Sequence, residues 1–80
     1  MPQWEYCHLT NNGREITYGY YREEGLFTET QPFDRNLWGS SIAVLGLIGW
    51  EAISHIKELN ETRWYFKRPF DPNNTPFSLS

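Results

Sequence analysis

Eighty residues suffice for one small domain, and ten acidic against seven basic side chains give a formal net charge of −3. Nonspecific binding to DNA, RNA or anionic membranes depends on a cationic surface, so this balance argues against nucleic acid and membrane partners. Four Trp, five Tyr and five Phe are more rings than one small core needs, so we expect some of them at a binding surface.

The residues available for metal or redox chemistry are few. Cys7 is the only cysteine, which excludes an internal disulfide and favours a reducing, cytoplasmic location. No secretory signal pattern and no apolar run of membrane-spanning length is present. One Cys, two His and scattered carboxylates show no metal-ligand spacing, so we expect neither a metal nor a cofactor.

Three strands are predicted in the first half of the chain. The first covers residues 4–9 and ends at an Asn-Gly turn. β-Branched and aromatic residues predict a second strand over residues 16–21, and residues 26–30 predict a third, which Pro32 ends. Successive strands joined by short turns are typical of an antiparallel meander.

One helix is predicted from about residue 35 to residue 48. Asp34 is suited to the N-cap, because its carboxylate can accept the free amide hydrogens of the first turn. Gly49 stands where a helix C-cap favours positive φ. Residues 50–56 and 63–68 then predict a fourth and a fifth strand. The apolar residues at helical spacing are Trp38, Ile42, Leu45 and Ile48.

The predicted fold class is α+β, an antiparallel sheet of four to five strands with one helix packed on one face, in the order β-β-β-α-β-β. Residues 1–69 form the single domain. Residues 70–80, rich in Pro, Asn and Ser, are expected to form a flexible tail that packs poorly. The rings expected to meet the helix are Trp4, Tyr6, Trp64 and Phe66.

Three segments resemble a known family when taken in order. They are Trp-Glu-Tyr at residues 4–6, Leu-Gly-Leu-Ile-Gly-Trp-Glu at residues 45–51, and Tyr-Phe-Lys-Arg-Pro at residues 65–69. They are similar to a small bacterial family catalogued as domain of unknown function 4177. The resemblance implies a compact sheet with one helix across it, and it brings no activity and no functional residues. The chain departs from the family pattern at residues 16–30 and in its tail, where a specialised function would lie.

Catalytic residues are not evident. Cys7 and His8 are neighbours on a strand and point to opposite faces, so they cannot form a nucleophile–base pair. Cys7 could meet His55 only if the first and fourth strands were paired, and a buried structural thiol is the simpler interpretation. Glu51 has no visible partner acid or nucleophile, and pairing with Lys67 or Arg68 explains it better than general-base chemistry. We therefore predict a protein that is not an enzyme.

Aromatic and basic residues alternate in and beside the second and fifth strands. Rings beside guanidinium groups are typical of sites for planar anionic ligands such as nucleotides, because they offer stacking faces and phosphate partners. Cross-strand pairing on an exposed sheet face explains the same pattern without a ligand. The candidate ligand-binding residues are Arg14, Tyr18, Tyr20, Arg22, Arg63, Tyr65 and Arg68.

The leading functional prediction is a small non-enzymatic binding or assembly module that self-associates. One helix covers only one face of a sheet, so rings on the other face must meet water or a partner, and a dimer or larger closed ring would bury them. The alternative is a sequestering protein of the phage or mobile-element, anti-defence type, which binds a nucleotide-like small molecule at a subunit interface.

Overall fold

The computed structural model describes residues 3–79 and confirms the α+β class and the predicted order of elements. Three strands precede the single helix of this region and two follow it. The elements are β1 Trp4–Asn11, β2 Glu15–Arg22, β3 Gly25–Pro32, α1 Arg35–Leu47, β4 Glu51–Lys57 and β5 Thr62–Pro69. No helix in the described part of the chain is both long and apolar enough to cross a membrane.

The five strands form one sheet in the order β3-β2-β1-β5-β4, and every neighbouring pair is antiparallel. The first and last strands therefore lie side by side at or next to the centre, and β3 and β4 are the edges. Cys7 on β1 is opposite Tyr20 on β2 and Phe66 on β5. Because β5 separates β1 from β4, the condition for a Cys7–His55 pair is not met.

Both predicted helix ends are confirmed. The Asp34 carboxylate accepts hydrogen bonds from the backbone amides of Asn36 at 2.8 Å and Leu37 at 3.1 Å. At the other end, Gly49 adopts a φ of +99°, and its amide donates to the Gly46 carbonyl at 3.2 Å. The Trp50 amide donates to the Leu45 carbonyl at 2.9 Å, which completes a Schellman motif. This motif turns the chain from the helix into β4.

Side chains alternate between two faces of the sheet, and we call the face that carries Cys7 and Leu9 the inner face and the opposite one the outer face. The helix packs on the inner face through Leu45, which is fully buried. The buried apolar core consists of Cys7, Leu9, Ile16, Tyr18, Leu45, Trp50, Phe66 and Leu79.

The expected contacts of the first strand with the helix are wrong. Trp64 and Phe66 do lie on the inner face, but Trp4 and Tyr6 lie on the outer face and are 42% and 46% exposed. A strand with two partly apolar faces can be buried on either one. Here the inner set contains Glu5, which burial alone would disfavour, and its pairing with Arg68 makes that face acceptable to the core.

The tail is also corrected. Residues 70–79 contain no helix or strand, yet they cross the inner side of β2 and β3. The Phe77 ring meets the Tyr18 ring edge to face at 5.0 Å between centroids, and Leu79 is only 6% exposed. The Glu29 carboxylate accepts hydrogen bonds at 3.0 Å from Ser78 Oγ and from the Leu79 amide. Two apolar side chains are enough to attach the tail, because the helix leaves this part of the inner face open.

Candidate functional site

A cavity of about 480 Å³ lies between the tail and the inner face of β2 and β3. Aromatic rings reach it from both sides, Tyr18, Tyr20 and Phe27 from the sheet and Phe70 and Phe77 from the tail. Its volume is within the range of small-molecule sites. The tail forms one wall, so the cavity exists only because residues 70–79 pack on the sheet.

A buried ion pair lies at the base of this cavity. Arg68 Nε donates to Glu5 Oε1, and the Tyr20 hydroxyl donates to Glu5 Oε2. Asn74 Nδ2 also donates to Glu5 Oε1, at 3.1 Å. Burial alone would raise the pKa of Glu5, but the hydrogen bonds from Tyr20, Arg68 and Asn74 outweigh it and lower this pKa. Glu5 is therefore an anion at neutral pH and neutralises the guanidinium beside it.

Arg68 connects three parts of the molecule. Its Nη1 donates to the Ile48 carbonyl at the end of the helix, at 2.9 Å, and its Nη2 donates to the Thr75 carbonyl of the tail, at 3.2 Å. The guanidinium also stacks on the Trp50 ring, 4.2 Å from its centroid. Arg68 was predicted to bind an anionic ligand, and its charge and three of its nitrogen donors are instead used inside the protein.

The mouth of the cavity carries a second guanidinium group. Arg22, at the end of β2, lies 5.2 Å from the centroid of the Tyr20 ring and 6.0 Å from that of the Phe27 ring. Phe27 is opposite Tyr20 in the register of β2 and β3, so both rings and the cation share the inner face. Phe27 is 54% exposed. The three side chains thus form a cation–π cluster that faces solvent.

A separate aromatic cluster lies on the outer face around His8, which is 7% exposed. The Tyr21 and Tyr65 rings flank it at centroid distances of 5.6 Å and 6.2 Å, and His8 Nδ1 lies 3.1 Å from the Tyr21 hydroxyl. Arg63 Nη1 donates to the Tyr65 hydroxyl at 3.0 Å. Burial, together with the positive charge of Arg63, holds the pKa of His8 below its ordinary value.

The outer face as a whole is apolar and uncovered within residues 3–79, because both the helix and the tail lie on the inner face. Its large apolar side chains are 42–50% exposed. They come from four of the five strands and are Trp4, Tyr6, Tyr21, Leu26 and Ile56.

The seven predicted ligand-binding residues are not brought together. Arg63 and Tyr65 lie on the outer face, and the exposed Arg14 lies at the turn between β1 and β2. The prediction treated β2 and β5 as one surface, but β1 lies between them and their chosen residues project to opposite faces. The members that line the cavity are Tyr18, Tyr20, Arg22 and Arg68.

Sequence reasoning missed Glu5, Phe27, Glu29 and Phe77 as parts of this site. Glu5 could have been found by pairing the first and last strands antiparallel, which sets it opposite Arg68. The contact of Phe77 with Tyr18 joins residues 59 positions apart, and no local pattern signals it.

The two residue types most often used in catalysis and metal binding are not arranged for either. Cys7 is fully buried, and burial raises the pKa of its thiol well above the ordinary range. Within residues 3–79, no group of three or more His, Cys, Asp or Glu side chains is placed to hold a metal ion.

No family model, curated protein or solved structure matches the chain at a significant level. The resemblance to the domain of unknown function 4177 family therefore depends on the three segments named above and stays a prediction.

Proposed function

We propose that this protein is a non-enzymatic assembly module of the cytoplasm whose copies associate through the outer face of the sheet. The observation that carries the proposal is the exposure of Trp4, Tyr6, Tyr21, Leu26 and Ile56 on one face, with the helix and tail both on the other. Antiparallel sheets often leave one face to water, and that face is then polar. An uncovered face rich in rings instead marks an interaction surface.

The size of the face suits a second copy of the chain. Five strands spaced about 4.8 Å apart, each eight residues or fewer and rising about 3.3 Å per residue, present a projection of about 600 Å². Stable protein interfaces bury about 800 Å² per partner, and pleated side chains add to the flat projection. Two such sheets stacked face to face would thus form an interface of ordinary size.

Charge on the outer face also suits self-association. Lys67 is opposite Glu51 in the register of β4 and β5, and its ammonium lies 4.6 Å from the centroid of the Trp4 ring. A face that carries both signs can meet its own copy in a two-fold arrangement without net repulsion. A polyanionic partner would gain little from it, since the chain as a whole is acidic.

Light scattering coupled to size exclusion at micromolar concentration tests the proposal. We expect the wild-type protein to have the mass of a dimer or a larger closed ring. The double variant Trp4→Ser/Tyr6→Ser should be monomeric, because it removes two exposed rings from the face. The control is Leu47→Ser, which removes an 84% exposed apolar side chain from the helix on the opposite side. A monomeric wild type, or dissociation by Leu47→Ser alone, would contradict the proposal.

The sequestering function is the second candidate, and the position of Arg63 and Tyr65 favours it. Both lie on the face proposed as the interface, and Arg63 Nε is buried without a hydrogen-bond partner. An anion held between two copies could use this donor. Native mass spectrometry of the purified oligomer should then show a co-purified small anion, which Arg63→Gln removes. An oligomer free of small molecules would leave assembly as the function.

A further inference from the structure

The charge of the inner cavity differs from that of a nucleotide site. Glu5 and Arg68 neutralise each other at its base. The other charged side chains that line it are two carboxylates, Glu29 and Asp71, and one guanidinium, Arg22. The local balance is negative, so a phosphate group would meet repulsion there and a cation would meet attraction.

The aromatic lining is of the kind that recognises cations. The face of a Tyr or Phe ring attracts an ammonium or guanidinium group within about 6 Å of its centroid. Arg22 already occupies such a position over Tyr20 and Phe27, at 5.2 Å and 6.0 Å. The protein therefore contains both the site and an internal cation that fills its mouth.

We infer that the cavity beneath the C-terminal tail binds a small cationic ligand, an ammonium or guanidinium compound, which takes the place of Arg22 on the Tyr20 and Phe27 rings. Arg22 lies at the β2–β3 turn and is exposed, so it can move away without disturbing the core. Glu29 and Asp71 supply the negative charge on the opposite wall. This site lies on the inner face and is independent of the proposed self-association.

Substitution of Arg22 distinguishes a cationic from an anionic ligand, because its effect has opposite signs. The Arg22→Ala variant loses the internal competitor, so a cation should bind more tightly to it, by about two- to tenfold. An anion would lose its one unneutralised cationic partner and bind more weakly. Phe27→Ala removes a half-exposed ring and should weaken cation binding by a similar factor without loss of folding.

The experiment is a calorimetric titration of the full chain with agmatine and, separately, with adenosine monophosphate. The control variant is Arg14→Ala, which removes an exposed arginine at the other turn of the same strand. We expect agmatine to bind the wild type, to bind Arg22→Ala more tightly and Phe27→Ala more weakly, and to be unaffected by Arg14→Ala. Failure of agmatine to bind both the wild type and Arg22→Ala would overturn the inference. Tighter binding of adenosine monophosphate that Arg22→Ala weakens would overturn it as well.

Discussion

The imidazole of His8 covers the backbone of Gly19, its register partner on the neighbouring strand. A β-carbon at position 19 would come within 2.8 Å of His8 Nδ1, so the ring occupies the space of the missing side chain. Glycine inside a strand often allows this kind of aromatic cover.

Gly19→Ala should therefore lower the free energy of unfolding by about 1–3 kcal/mol, because the ring must shift from its place between Tyr21 and Tyr65. In the His8→Ala background, the same substitution should cost almost nothing. Urea denaturation of the four proteins measures the difference. The control Gly39→Ala, a helical position with open space around it, should gain about 0.5–1 kcal/mol. Equal losses in both backgrounds would contradict the contact.

Stability should decline in mild acid because of His8. Its pKa is lowered in the folded protein by burial and by Arg63, only partly offset by Glu61, while Tyr21 and Tyr65 enclose it. The unfolded chain thus takes up the proton more readily, and stability falls as the pH drops below about 6.5 toward the lowered value. Thermal unfolding between about pH 7.5 and pH 5.5 should show this decline in the wild type and in His55→Gln. His8→Gln should flatten it, and an unchanged slope in that variant would exclude His8 as the cause.

The buried pair of Glu5 and Arg68 should be costly to break. Glu5→Gln leaves a buried guanidinium without its counter-charge, and we expect a loss of about 3–5 kcal/mol in urea denaturation. The double variant Glu5→Met/Arg68→Met should regain a large part of this loss, because neither charge remains buried. Glu61→Gln breaks the exposed ion pair with Arg63 and should cost about 1 kcal/mol or less. Similar costs for Glu5→Gln and Glu61→Gln would show that the buried pair is not special.

The tail should contribute to the stability of the whole domain. Leu79→Ala removes a buried side chain from the core and should cost about 2–5 kcal/mol. Leu59→Ala is the matched control, since Leu59 is 97% exposed and its loss should change stability by about 0.5 kcal/mol or less. Equal thermal midpoints for the two variants would show that the tail does not pack in solution.

The turn after the helix should require glycine. Gly49 has a φ of +99°, which a β-branched residue resists, so Gly49→Val should cost more than about 1 kcal/mol. Gly46→Ala is the control, because this helical glycine has open space where its β-carbon would be and should tolerate alanine or gain stability. Unchanged thermal stability of Gly49→Val would contradict a structural role for the turn.

The predictable parts of this fold are those that short-range chemistry determines. The Asp34 cap and the Gly49 turn follow from a few neighbouring residues, and both helix ends were correctly placed. The strands were found by composition and by their turns. The resulting order of elements was enough to give the fold class, because one helix among five strands has few ways to bury its apolar side.

The parts that could not be predicted depend on long-range pairing. Either face of β1 offered apolar residues, and only its pairing with β5 shows that Glu5 has a partner in Arg68. The order of strands in the sheet separates Tyr65 from Tyr20, although both stood in similar aromatic and basic stretches. The cavity itself requires Phe77 to reach Tyr18, a contact that two apolar residues in a polar tail do not announce.

The two neighbouring strands β1 and β5 begin and end the regular part of the chain, and this has a consequence for folding. β1 to β3 form one continuous unit and α1 to β5 another, and only Phe33 and Asp34 connect Pro32 to Arg35. The β1–β5 ladder that joins the units is equally available on a second chain. Two chains that exchange their C-terminal units would regain the same strand pairings, so refolding at high protein concentration should yield a domain-swapped, intertwined dimer, whereas refolding at high dilution should yield closed monomeric folds.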